Sequence, residues 1–373
     1  MRKLCTEELF TPRRLAELRA VREEKARELA RAVSSSSEAK VRGGESGSPL
    51  LPVAVARAVF PAVAGVLWRT WTTWPRRASS IGDVVREAVV VAGTPNVSDY
   101  FPAVAAADVL GVRRRMEKLV AWTYGVNDRQ IDLRRHGRAA GEPRRNDLLD
   151  AALDMEGQVD GTEGWVMNQE AMRGMFMDLL VAGSGSTTST IEWAMAELLL
   201  HPRCMTKELR RVIGARPHVA ESDISNLTYL QAVVKETLRL HPTVPIGLNK
   251  AEATVEVHGY RIPEGTTVYV NIWAICRRAK VWGDDAEERF VVGRDDGVGF
   301  LGNCFELIPF GAGRRICLGL PLAERMLHLM LGSLLHRFDC AVEDDGIDMA
   351  ERFGLVLSMA TPLRAVAKEV VSN

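Results

Sequence analysis

The chain lacks several things that would have settled its class at once. It has no cysteine pair at C-x-x-C spacing: Cys5, Cys204, Cys276, Cys304, Cys317 and Cys340 stand far apart. That scatter argues against a structural zinc and against a disulfide framework, and fits a reducing compartment. There is no excess of either charge, since 48 basic residues balance 48 acidic ones, so the electrostatic footprint of a nucleic-acid partner is missing. Long apolar runs are missing too. The most apolar stretch, Val53 to Leu67, is broken by Arg57 and Pro61 and is too short to cross a bilayer; it reads as a core-facing helix. Met1 to Phe10 has the character of neither a signal peptide nor a membrane anchor. No internal repeat is evident, and aromatic residues make up only 6% of the chain, which predicts a largely aliphatic interior.

What is present is a loop of unusual composition, Pro309-Phe310-Gly311-Ala312-Gly313-Arg314-Arg315-Ile316-Cys317-Leu318-Gly319. After it, Leu322/Ala323, Met326/Leu327, Met330/Leu331, Leu334/Leu335 and Phe338 recur at helical spacing, so Cys317 lies just before a helix N-terminus. Unpaired amides and the helix dipole favour an anion there, in this case a thiolate. Gly311, Gly313 and Gly319 keep side chains away from the sulfur and let a flat ligand approach the backbone. Arg315, two residues upstream, is placed to pair with a carboxylate of that ligand. A solitary cysteine is more often a small buried hydrophobe; the company this one keeps argues otherwise.

The rest of the chain reads as mainly helical with minor sheet. Thr11 to Val33 has helical composition and ends in Ser34-Ser35-Ser36-Ser37, so residues 34–50 are expected to be a surface loop. Helices follow around Val53–Thr70 and Ile81–Val91, with a turn at Trp71 and Trp74 between them, and a long helix from about Val109 to Arg135. The basic stretch Arg134-Arg135-His136-Gly137-Arg138 reads as a solvated loop. Asn168 to Leu200 has helical periodicity interrupted by Gly183-Ser184-Gly185-Ser186-Thr187-Thr188-Ser189-Thr190, all poor helix formers. Two readings are open: two helices joined by a short loop, or one distorted helix whose hydroxyls face a site. Leu227 to Leu240 is a further helix in which Glu236 and Arg239 can pair along one face. Thr254–His258 and Thr266–Asn271 alternate like strands, and the expected hairpin joins them through Gly259–Gly265.

Phe310, Gly313, Arg315, Cys317 and Gly319 match Phe-x-x-Gly-x-Arg-x-Cys-x-Gly, and the chain thereby resembles the cytochromes P450. Other segments fall in the same order. Glu236-Thr237-Leu238-Arg239 resembles the family's Glu-x-x-Arg motif, Arg289-Phe290 the tail of its Pro-Glu-Arg-Phe motif, and Ala182 to Thr187 its oxygen-activation groove. Ile191 to Leu198 is similar to plant microsomal members, among them geraniol hydroxylases and related terpenoid and alkaloid oxidases. The resemblance implies a single cytochrome P450 domain over 1–373, mainly α with a small β-sheet, in which the family's N-terminal anchor, first sheet and early helices have no counterpart.

It further implies haem b held by the Cys317 thiolate, with Phe310, Gly313, Arg315, Ile316 and Gly319 around it and Arg315 on a propionate. Ser186 and Thr187 would assist oxygen activation. Leu180, Ala182, Gly183, Ile246 and Gly247 would meet the substrate, and Glu236, Arg239 and Arg289 would form structural ion pairs. NADPH–cytochrome P450 reductase, O2 and a small lipophilic substrate are the expected partners, nucleic acid is not, and the cytoplasmic face of the endoplasmic reticulum is the expected location. Four departures accompany the match: the late start, Gly185 and Ser186 where the family carries an acid and Thr, no basic residue in Pro245–Asn249 before Lys250, and a shortened segment before Arg289. They keep two other readings open, a haem-binding but catalytically impaired derivative and a helical interaction protein without haem.

Overall fold

Helices begin where the sequence offers a cap. In the computed structural model, which describes residues 1–38, 51–72, 78–101, 103, 107–157, 166–201, 205–283, 290, 298–342 and 346–370, a short helix α1 (Arg2–Glu8) precedes α2 (Pro12–Glu17), whose first turn is closed by the Thr11 hydroxyl and entered through Pro12. Then come α3 (Arg19–Glu38), β1 (Val53–Ala54), α4 (Val55–Trp71), α5 (Ala78–Ala92) and α6 (Val97–Tyr100). The long α7 (Val112–Ala139) leads to α8 (Leu148–Asp154), capped by Asp147, and to α9 (Gln169–Leu200), capped by Asn168. The chain continues through α10 (Met205–Ile213), α11 (Thr228–Leu240), strands β2 (Ile246–Lys250), β3 (Val255–Val257), β4 (Tyr260–Ile262) and β5 (Thr267–Asn271), and helices α12 (Ile272–Cys276) and α13 (Ala279–Trp282). The last elements are α14 (Leu320–Arg337), β6 (Phe338–Val342), β7 (Glu351–Arg352), β8 (Ser358–Met359) and β9 (Arg364–Glu369).

The result is mainly helical with small antiparallel sheets, as expected. Strands pair in the order β1-β9-β6, β2-β5, β3-β4 and β7-β8. The core sits around α9, which packs on α4, α5, α7, α11 and α14. Trp71 at the end of α4 stacks on Phe176 of α9 with ring centroids 4.2 Å apart, and Val59, Val63 and Val66 of α4 are fully buried beside them.

Four expectations need correction. The serine run is not loop: α3 continues to Glu38, because Ser35, Ser36 and Ser37 donate their hydroxyls to the carbonyls one turn back (Arg31, Ala32 and Val33) while Val33 and Ser37 stay buried. Residues 39–50 lie outside the described set. Trp71 belongs to α4 rather than to a turn, held there by its stack on Phe176; Trp74 also lies outside the described residues.

Residues 134–138 are not a solvated loop but the last turns of α7. Arg134 is buried and reaches Asp147 through two bonds of 2.7 Å and Asp150 at 2.8 Å, while Arg138 bonds Asp150 and Asp154. Two cations four apart on α7 meet three carboxylates on and before α8, so charge pairing carries the helix onward. Finally, the expected hairpin is two pairings. Val255–Val257 turns straight back on Tyr260–Ile262, since His258 (φ 48°) and Gly259 (φ 82°) adopt the left-handed geometry of a two-residue hairpin turn. Thr267–Asn271 then pairs with Ile246–Lys250.

Of the two readings left open for residues 168–200, one uninterrupted helix is observed. Tertiary packing overrides propensity here. A Cβ on Gly183 would stand 2.9 Å from Leu67 Cδ1, so the glycine is what lets α4 lie against α9. Ser186 and Thr190 donate to the carbonyls of Ala182 and Ser186 one turn earlier, and Ser189 donates across to the Leu357 carbonyl at 2.7 Å. Further along, the buried Glu192 carboxylate accepts the amides of Leu363 (3.0 Å) and Ala56, tying α9 to the first turn of α4.

Two outcomes follow from these buried charges. Arg134→Ala leaves Asp147 and Asp150 short of their central cation and lowers the unfolding free energy by about 3 kcal/mol in urea titration at pH 7. Glu192 has its carboxyl pushed up to about 7 by burial, against the pull of its two amides and Arg352. A carboxyl raised in the folded state stabilises below its unfolded value of 4.5, and that contribution is lost as pH rises toward 7. Stability should therefore fall by up to about 3 kcal/mol across that window on account of this group, and Glu192→Gln should flatten the slope.

Candidate functional site

The cysteine loop is shaped by backbone bonds. The Cys317 amide donates to the Phe310 carbonyl at 2.9 Å, closing the loop, and the Gly311 and Ile316 amides donate to the Ile308 and Gly313 carbonyls. Gly311 and Gly313 sit at φ 74° and 66°, which a side chain would strain. Phe310 packs beside Phe300 with centroids 5.2 Å apart. Gly319 is the N-cap of α14, and a Cβ there would come within 4.0 Å of the Cys317 sulfur. The sulfur stands at the mouth of a helix, open to the surface on one side.

Its proton is contested. Packing of the loop around the sulfur pushes the thiol above its ordinary value, while the amides of Gly319 and Leu320 and the nearby Arg2 cation pull it down. Arg2 was not among the residues singled out in the sequence. It reaches the loop from α1, its Nη2 donating to the Ile316 carbonyl at 2.5 Å. Arg315 is exposed and makes no ion pair among the described residues, whereas Arg314 pairs with Glu252 at 3.3 Å.

On α9 the candidate residues divide between two stripes. Ala182 and Ser186 share one open stripe with Leu179, Gly183 is turned to Leu67 of α4, and Leu180 (2% exposed) and Thr187 (5% exposed) lie on the stripe turned to the core. The Ser186 hydroxyl gives its proton to the Ala182 carbonyl at 2.7 Å. On the buried stripe, the hydroxyls of Ser184 and Thr188 have no partner among the described residues. Ile246 and Gly247 open strand β2, the first exposed and the second half-buried over Ile272 and Val270.

Glu236 and Arg239 form a two-pronged pair at 2.7 Å and 2.7 Å, and the third Arg239 nitrogen donates to the Cys276 carbonyl at 3.1 Å. The guanidinium also lies over the Trp282 ring, 5.6 Å from its centroid. Arg289 lies outside the described residues. Sequence reading did not reach the neighbouring His241, which stacks flat on Trp193 (4.0 Å, 2°) and bonds Glu197 at 2.6 Å. Its only signal was its place directly after α11.

The residues fit the haem group that the resemblance implies. The cysteine is exposed in a loop with three glycines, the Arg2 cation stands near it, Arg315 is exposed two residues before it, and the helix that follows packs on the helix carrying Ser186.

Residues 1–365 match the family model described as "Cytochrome P450". The chain is 44% identical over 310 residues to geraniol 8-hydroxylase of Catharanthus roseus, an alignment covering 78% of this chain and 59% of that protein. It is 36% identical over 387 residues to iridoid oxidase of Catharanthus roseus, covering 100% of this chain and 74% of the relative. With flavonoid 3'-monooxygenase of Petunia hybrida it shares 34% over 380 residues, 97% of this chain and 72% of the relative.

Proposed function

The chain belongs to the cytochrome P450 family and is an oxidoreductase of the monooxygenase kind, and from that premise we propose that it inserts one oxygen atom into a small lipophilic substrate of the terpenoid class. Oxygen comes from O2, electrons from NADPH–cytochrome P450 reductase, and residues 1–373 act as one domain. The observation that carries the proposal is the Cys317 loop, with its exposed cysteine at the head of α14 and Arg2 reaching it from α1. Haem b, when bound, would be held through the Cys317 thiolate and would supply the redox and oxygen-activating chemistry.

The chain's own residues do the rest. Cys317 gives up its proton with help from the Gly319 and Leu320 amides and the Arg2 charge, which oppose the cost of burial. Arg315 and Arg2 offer cations to the haem carboxylates, and Phe310, Gly313, Ile316 and Gly319 shape the loop around the ring. Ser186 keeps two lone pairs free to accept a hydrogen bond while its proton is held by Ala182; Thr187 beside it serves from the buried stripe. Ala182, Gly183, Ile246 and Gly247 present small or aliphatic surface to the substrate, with Leu180 behind them. Glu236 and Arg239 act as a structural ion pair that also ties α11 to the Cys276 carbonyl at the end of α12, and Arg289 is proposed as a further member of that charge set. No helix among the described residues is long and apolar enough to cross a membrane; the cytoplasmic face of the endoplasmic reticulum is proposed by analogy with the relatives.

Gly185 favours a second reading, an enzyme that binds haem but couples oxygen use poorly to product. Glycine has no side chain with which to relay a proton. A Cβ at this position would meet Val356 Cγ2 at 3.5 Å and Val89 Cγ1 at 3.7 Å, ordinary contacts, so a larger residue can start there without a clash.

The reduced carbon-monoxide complex of the haem-supplied chain should show the Soret position of thiolate ligation, and Cys317→Ala should abolish that band; a band typical of neutral thiol or histidine ligation in the parent chain refutes the proposal. Gly185→Asp combined with Ser186→Thr should raise product formed per NADPH consumed severalfold, by about 1 kcal/mol of partitioning. Unchanged coupling would show that these positions are not what limits it.

A further inference from the structure

Away from the cysteine loop, positive charge collects where α3 packs against the end of α14. Ala26 and Ala30, one turn apart on α3 and buried, line a cleft together with the buried Val219. Residues 217–219 lie against α14, since a Cβ on Gly332 would stand 4.0 Å from Val219 Cγ1. Arg27 of α3, His218, and Ser333, His336 and Arg337 of α14 complete the walls. The cleft encloses about 10 Å³, room for one oxygen-sized atom. A ligand that fits it puts one oxygen inside and keeps the rest in water.

The negative charge nearby is already engaged. Glu23, the carboxylate that also lines the cleft, accepts the Glu221 amide at 3.1 Å and lies 3.7 Å from Arg19. Glu369 of β9 pairs with Arg337, and the carbonyl end of α14 is offset by His336 and Arg337 in its last turn. Arg27 and Arg31, one turn apart on α3, make no ion pair among the described residues; Arg31 Nε reaches the Arg27 carbonyl at 3.4 Å. The Arg337 Nε is buried without a hydrogen-bond partner among the described residues. His336 Nε2 bonds the Arg216 carbonyl at 2.7 Å, a group that can only accept, so any further proton goes to Nδ1. His218 registers the outcome. Loss of surrounding water, then the charges of Arg27, Arg337, Arg31 and His336, hold it below its ordinary value.

We propose that this cleft between α3, residues 217–219 and the end of α14 binds the phosphate group of a small soluble molecule, inorganic phosphate being the simplest ligand. Donors arriving from three parts of the chain suit an anion with several oxygens and more than one charge, rather than chloride or a carboxylate. Arg27 and the Arg337 Nε donate to the oxygens, and His218 and His336 add charge as they take up protons. Occupation relieves the repulsion among the cations and joins α3 to α14, so it stabilises the native chain. The inference is independent of the monooxygenase reading.

Calorimetric titration of the haem-supplied full chain with inorganic phosphate tests it, at fixed ionic strength and at about pH 6.5, the ordinary histidine value. Arg27→Gln should weaken binding about tenfold, the loss of one charge-assisted hydrogen bond. Glu23→Gln should strengthen it severalfold by removing the opposing carboxylate, and Arg113→Gln on α7 should leave it unchanged. Phosphate should raise the unfolding temperature of the parent chain and not that of Arg27→Gln, which without phosphate should be no less stable than the parent because a repelling charge is gone. In the histidine ring resonances, phosphate should move the His218 titration upward. His218→Gln, at an exposed position, should weaken binding on the acid side alone, and it decides the matter should Arg27→Gln fail to fold. A phosphate response no larger than that of chloride at equal ionic strength overturns the site. So does an equal response in parent and Arg27→Gln, or a loss of stability in that variant with phosphate binding intact, which would make Arg27 merely structural. Retention on phosphatidylcholine vesicles containing phosphatidic acid, without binding of free phosphate, would give the cleft to a lipid headgroup and overturn the soluble ligand.

Discussion

A helix of 32 residues, some 48 Å long at about 1.5 Å per residue, can be buried along its length only if something lets its neighbours come close. In this protein the close approach of α4 to α9 does so. Gly183 removes the one side chain that would collide with Leu67, and one turn and more before it Phe176 offers its face to Trp71. With α4 seated, α5, α7, α11 and α14 find their places around the same axis. The functional surface inherits that arrangement. The open stripe of Ala182 and Ser186 exists because the opposite stripe, with Leu180 and Thr187, is committed to the core.

The cysteine loop depends on a second balance, this one electrostatic. Packing around the sulfur and the positive end of α14 act in opposite directions on the same proton. Arg2 pulls toward the anion from a distant part of the sequence, 314 residues from the carbonyl it bonds, without outweighing the packing. The thiol is thus held on balance above its ordinary value, with two amides and a guanidinium opposing that shift. The loop's glycines leave the sulfur as the feature that an incoming group meets first.

How much of this could be read from the sequence depended on how local the responsible interactions are. The cysteine loop, the following helix and the Glu236–Arg239 pair are written within a few residues of each other and were legible. So was the start of α9, because Asn168 is a cap with its own signature. Where partners lie across the chain, composition misled. Serines that look like a loop were absorbed into α3 by bonds to their own helix. Arginines that look solvated were claimed by Asp147 and Asp150, although carboxylates at helical spacing just downstream did offer a hint. The strand pairing was missed because His258-Gly259 makes a turn that is usually written with asparagine or aspartate. Ser189 and Glu192 gave no signal at all, since what they hold lies 168 and 171 residues away.

That last separation bears on how the molecule assembles. Closing a chain loop of such length costs entropy that only a nearly complete core can offset, and contacts of high sequence separation are slow to form. The helices around α9 can gather through nearer neighbours, as α7 and α8 do through Arg134 and Asp147, only 13 residues apart. The β7–β8 hairpin has to wait until the final strands arrive. The segment beside the Ala182–Ser186 stripe is therefore among the last to be built during folding and among the first to loosen under stress, before the helices around α9 come apart.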